Sequence, residues 1–158
     1  MRRVPVSWFG SVHRFALVVS ITVVMLVAGC GSGGGETPAQ YNYSVDQVCS
    51  DEAAQVRALP PLTTLAQAGP RSVGLRRIVD SHAAALEQRV PPSELSGLVR
   101  RALVYVRRGR ALVDRLAAEI AAGANPQPAL LSFEQHNARV TRQANAAWRR
   151  IGALGCVA

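Results

Sequence analysis

Three proline clusters, Pro60-Pro61, Pro91-Pro92 and Pro126 with Pro128, divide residues 44–158 into four stretches. A proline inside a helix removes a backbone donor and clashes with the preceding turn, so each cluster closes one helix and frees the chain for the next. The stretches between the prolines carry apolar residues at helical spacing, and none shows the alternation expected of a strand. The pattern predicts an all-α fold.

The first helix is expected to open at Ser44, with Gln47 as its capping-box partner, and to run to about Leu59 with Val45, Val48, Cys49 and Val56 on one side. A second spans Arg71 or Ser72 to Val90, with Leu75, Ile78, Val79, His82 and Leu86 spaced at three and four. Ser93 caps a third, whose Leu98, Ala102, Val106, Val113, Leu116 and Ile120 form a stripe that ends at Gly123. The fourth begins between Pro128 and Leu130 and continues to Ile151, offering Phe133, Val140, Ala144 and Trp148 to a core. Short connections between long helices favour antiparallel neighbours. The expected architecture is an up-down bundle of three to four helices.

The first thirty residues follow different rules. Arg2 and Arg3 precede an apolar run from Phe15 to Ala28, broken only by Ser20 and Thr22. Such a run is short for a membrane span of about 20 residues and fits the apolar segment of a signal peptide. It ends in Leu26-Val27-Ala28-Gly29-Cys30, which resembles the lipobox of bacterial lipoprotein precursors. That resemblance implies a cleaved signal peptide over 1–29, diacylglycerol and palmitate on Cys30, and attachment to the cell membrane on its extracytoplasmic side. The export route, general secretory or twin-arginine, stays open. Gly31-Ser32-Gly33-Gly34-Gly35 and the polar residues to Tyr43 read as a flexible tether over 30–43, leaving 44–158 as the bundle.

Export sets the expectation for the other two cysteines. Cys49 and Cys156 are an even pair in an oxidising compartment and should be bonded, tying the first helix to the C-terminus. No CxxC motif and no histidine near either cysteine in sequence points to a reactive thiol.

The formal net charge is +8, carried by arginine alone. Loss of Arg2, Arg3 and Arg14 with the signal peptide reduces it. Secretion argues against nucleic acid as the partner of that charge; an anionic lipid, a wall polymer or an acidic envelope protein fits better. Arg100, Arg101, Arg107 and Arg108 recur near heptad spacing opposite the apolar stripe of the third helix, either as a solvated face or as a docking surface.

Chemistry-bearing patterns are sparse. His82 lies on an apolar stripe, and Glu134 and His136 are two apart, so they face different sides of a helix and lack metal-ligand spacing. No nucleophile elbow or phosphate loop is present, and Gly31–Gly35 reads as tether. Asp51 and Glu52 read as acids near a helix start. The expectation is a non-enzymatic protein without metal or cofactor. Layout alone resembles small helical lipoproteins of the actinobacterial cell envelope: lipobox, Gly/Ser tether, and a helical domain with a cysteine near each end. Two functions remain in view, an interaction module and a carrier for an apolar or amphipathic ligand. Ala83, Ala84, Ala85, Ala144, Ala146 and Ala147 allow either close packing or a slot.

Overall fold

A computed structural model describes residues 36–158. The expected signal peptide, Cys30 and the glycine run of the tether lie outside the described residues. Four α-helices follow in order: α1 Pro38–Ala58, α2 Ala68–Glu87, α3 Ser96–Ala121 and α4 Pro126–Ile151. Two 3-10 turns, Leu65–Gln67 and Leu154–Cys156, precede α2 and follow α4. Among the described residues there is no strand. None of these helices is long and apolar enough to cross a membrane.

Helix α1 starts six residues earlier than Ser44. Thr37 is its N-cap, accepting from the Gln40 backbone while the Gln40 side chain accepts from the Thr37 backbone, and Pro38 stands at the first helical position. Both Thr37-x-x-Gln40 and Ser44-x-x-Gln47 satisfy the capping-box pattern. The earlier one prevails because it brings Tyr41 into the core, where it is 1% exposed. Ser44 sits inside the helix with its hydroxyl donating to the Tyr41 carbonyl. The helical domain, expected to open at Ser44, therefore opens at Pro38. Helix α2 begins and ends three residues before the expected bounds, and Ser93 lies in a turn ahead of α3. Asn125 caps α4, accepting from the Gln127 N–H, and Gly152 ends it in the left-handed conformation at φ 89°.

The helices run up and down. α2 packs on α3, α3 on α4 and α1 on α2, and the turn after α4 folds back onto α1. The buried cluster Tyr41, Val45, Cys49, Leu86, Val99, Ala102, Trp148, Ile151 and Ala153 draws on the beginnings of α1 and α3 and the ends of α2 and α4. The bundle is thus sealed at one end. The Cys49–Cys156 disulfide, with Cα atoms 5.0 Å apart, joins α1 to the C-terminal turn as expected. Gly155 makes the approach possible: its N–H donates to Asp46 Oδ1 at 2.8 Å, and a Cβ there would lie 3.0 Å from the Asp46 Cα.

Candidate functional site

The four helices line an open groove of about 1060 Å³. Its walls are Val56 of α1, Leu75 and Val79 of α2, Val106 and Val113 of α3, and Phe133 and Val140 of α4, with Trp148 towards the sealed end. All but Val113 and Trp148 are only partly buried, whereas Ala68, Ser72, Leu116, Ala117 and Ala129 are buried towards the opposite end. The apolar stripes seen in sequence are thus covered near both ends and open along the groove. The tail from Gly155 to Ala158 forms part of one wall. Side chains that would close a tight bundle are small here: Ala53, Gly109 and Ala144 leave space where Leu would fill it.

Two polar groups interrupt this apolar lining. Glu52 Oε2 lies 3.1 Å from His82 Nδ1, with the two side chains 26% and 11% exposed. Burial pushes the Glu52 carboxyl up to about 7 and the His82 imidazole down to about 4. Desolvation disfavours the charged form of each, so between about pH 4 and 7 the pair is a hydrogen bond between neutral groups. The second ring nitrogen, Nε2, is 3.5 Å from Cys49 Sγ. Cys49 and Glu52 are one helical turn apart on α1, and α2 supplies His82 from 33 residues away. His82, which lies on an apolar stripe in sequence, is nearly buried in the fold. The cluster is not visible along the chain, because His82 reaches Cys49 only where α2 packs on α1. The Cys49-x-x-Glu52 spacing, which puts both side chains on one face, was the available signal.

The arginines of α3 divide into two sets. Arg100, Arg101, Arg107 and Arg108 are all exposed, as the stripe requires. Arg107, however, donates to Glu87 at 2.7 Å, and the Arg108 guanidinium lies over the Tyr105 ring, 5.5 Å from its centroid. Arg107 therefore serves the α2–α3 contact and is committed within the fold. Further along the same interface Arg76 meets Asp114 at 2.8 Å and Arg110 meets Asp80 at 2.7 Å. His136 is exposed and its Nδ1 donates to the Ser132 carbonyl of its own helix. The structure does not bring it to His82, and among the described residues no group of three or more His, Cys, Asp or Glu could hold a metal ion.

No family model, curated protein or solved structure matches this chain.

Proposed function

We propose that this chain is an exported lipoprotein, held on the outer side of the cell membrane by lipid on Cys30, whose helical domain carries an apolar or amphipathic ligand. The groove is the observation that supports the carrier reading over a plain interaction module. It is of the size and character of a small-molecule site, mainly apolar with a few convergent polar groups. In this reading the apolar part of the ligand covers Leu75, Val79, Phe133 and Val140. Its polar head exchanges hydrogen bonds with Glu52 and His82, which are neutral at the pH where they would meet an uncharged hydroxyl or amide. The function is binding and release, without chemistry on the ligand.

The test is native mass spectrometry of the protein extracted from its own membranes in mild detergent. A chain beginning at a lipid-bearing Cys30 with one reproducible small-molecule adduct is the expected result. A chain that carries acyl groups and nothing else would refute the carrier reading. It would return weight to docking through the outer face of α3, where Arg100 and Arg101 are exposed. Cleavage elsewhere, or an unmodified Cys30, would refute the anchor.

A further inference from the structure

We propose that the Cys49–Cys156 disulfide is a reactive bond that exchanges with an external dithiol, with Cys49 as the leaving sulfur and His82 and Glu52 as the groups that hold its thiolate. This goes beyond ligand carriage and does not depend on it.

The two sulfurs occupy unlike places. Cys49 is buried on the rigid face of α1, with His82 Nε2 at 3.5 Å. Cys156 lies on the 3-10 turn two residues from the chain end, partly exposed and flanked by the exposed Leu154 and Gly155. An incoming thiolate therefore reaches Cys156 first. Exchange is faster when the departing sulfur is the better-stabilised thiolate, and a neighbouring imidazolium is a common means of stabilising one. Glu52, 3.1 Å from Nδ1, fixes the ring and lies where it can supply the proton that makes it an imidazolium. The resulting carboxylate, imidazolium and thiolate alternate in sign. Of the groove's other charged side chains, Arg57 on α1 and Glu134 on α4 are opposite in sign, and Arg110 and Arg71 are engaged elsewhere, with Asp80 and with the Leu59 and Pro60 carbonyls. Asp46 on α1 holds Gly155, so the imidazole is the cationic partner left to a Cys49 thiolate.

The reaction balances with the dithiol as reductant. Its first thiolate attacks Cys156 Sγ, forming a mixed disulfide there. The Cys49–Cys156 bond breaks and its electron pair passes to Cys49 Sγ, opposite the His82 N–H. The second thiol of the reductant then attacks its own partner sulfur in the mixed disulfide and releases Cys156. The dithiol leaves oxidised, and its two protons end on the protein's two thiols. Reduction need not scatter the site, because three contacts hold the tail without the bond. Gly155 N–H donates to Asp46 Oδ1, Asn42 donates to the Ile151 carbonyl at 2.9 Å, and Ala153 is fully buried. Cys156 thus stays beside Cys49, ready for reoxidation.

The experiment treats the full chain in mild detergent with dithiothreitol under native conditions and follows the Cys49 and Cys156 peptides by mass, which separates them from Cys30. The expected result is reduction without denaturant, slowed at least about tenfold in His82→Gln and more modestly in Glu52→Gln. A purely structural role predicts the reverse, since a loosened fold exposes the disulfide and speeds its reduction. Wild-type protein that resists reduction until it is unfolded, or a His82→Gln variant reduced as fast or faster, overturns the proposal. A second reading uses Cys156→Ser, with thiolate absorbance followed against pH. Cys49 should titrate at least about one unit below the ordinary thiol value near 8.5, and return to it or above in Cys156→Ser/His82→Gln. The difference between the two variants isolates Cys49. Titration at or above the ordinary value in both overturns the proposal.

Discussion

Glu52 and His82 share one proton between them over the same pH range in which the unfolded chain also holds one, although the proton sits on a different residue. In the fold it rests on Glu52, raised by burial to about 7, while His82 stays neutral down to about 4. In the unfolded chain the carboxyl ionises near 4.5 and the imidazole holds its proton to about 6.5.

The sign of each contribution follows from linkage. The raised carboxyl stabilises the fold at low pH, and that stability is lost as pH rises from 4.5 to 7. The lowered imidazole destabilises the fold as pH falls from 6.5 to 4. Between 4.5 and 6.5 the two slopes cancel, so the pair contributes a plateau, with a shoulder of under about 1 kcal/mol on either side. Urea unfolding at half-unit pH steps, compared with a Glu52→Gln/His82→Gln variant to subtract every other group, should show that plateau. A monotonic difference across pH 4–8 would contradict the neutral pair.

Replacing Glu52 alone separates its effect. Glu52→Gln keeps an amide that can donate to His82 Nδ1 and removes the cost of ionising a buried carboxylate. The variant should be more stable than wild type at pH 7.5 by about 1–3 kcal/mol. Its remaining slope should rise by about 1.4 kcal/mol per pH unit between 4 and 6.5, from His82 alone. A stability gain on removing a polar group marks a site kept for something other than stability. Chemical denaturation at the two pH values checks it, and a loss at pH 7.5 would show that the pair is charged after all.

The tail depends on a residue without a side chain. In Gly155→Ala the new methyl would sit about 3.0 Å from Asp46 Cα, a backbone atom that cannot swing away. The turn would lift from α1 and weaken the N–H to Asp46 contact, at a cost of roughly 1–3 kcal/mol. Asp46→Ala removes the same bond without the clash and should cost about 1–2 kcal/mol. Gly155→Ala, which adds the clash to the weakened bond, should cost more than Asp46→Ala; equal destabilisation by the two would mean that the clash is relieved elsewhere.

The helical architecture was legible because its determinants are local. Proline clusters set the breaks, and the stripes on α2, α3 and α4 set the faces. The start of α1 was ambiguous because two overlapping capping boxes satisfy the same rule, and only the burial of Tyr41 chooses between them. The Cys49–Cys156 bond was legible once Cys30 was set apart from the three cysteines, which leaves one pair. The groove was not. Leu75, Val79, Phe133 and Val140 look in sequence like any core positions, and whether facing helices close over them depends on the sum of small residues on four elements. The His82–Cys49 contact was hidden for a related reason, since α1 and α2 meet in a register that no short-range spacing encodes.

The difference in packing between the core cluster and the groove wall can be measured by truncation. Leu86, 1% exposed at the sealed end, should cost about 2–5 kcal/mol as Leu86→Ala, because its removal leaves a void among Tyr41, Val99 and Trp148. Leu75 already faces the groove, so Leu75→Ala enlarges an existing space and should cost roughly 1 kcal/mol. Similar costs at the two positions would mean that the helices close over the groove in solution.

Filling the groove is the converse measurement. Val79 lies one turn before His82 on α2, so an indole at that position projects beside the Glu52–His82 pair and over the apolar wall. Added bulk in a packed core costs typically 1–3 kcal/mol, because neighbours have no room to yield. Here about 1060 Å³ is open, so Val79→Trp should fold with stability within about 0.5 kcal/mol of wild type. The same side chain should displace the apolar part of any ligand, reducing its occupancy in native mass spectra at least about tenfold. Stability and occupancy then move independently, as a site requires. A variant that loses more than about 2 kcal/mol would show a filled core in place of a groove. One that folds normally and keeps its ligand would place the binding surface elsewhere on the bundle.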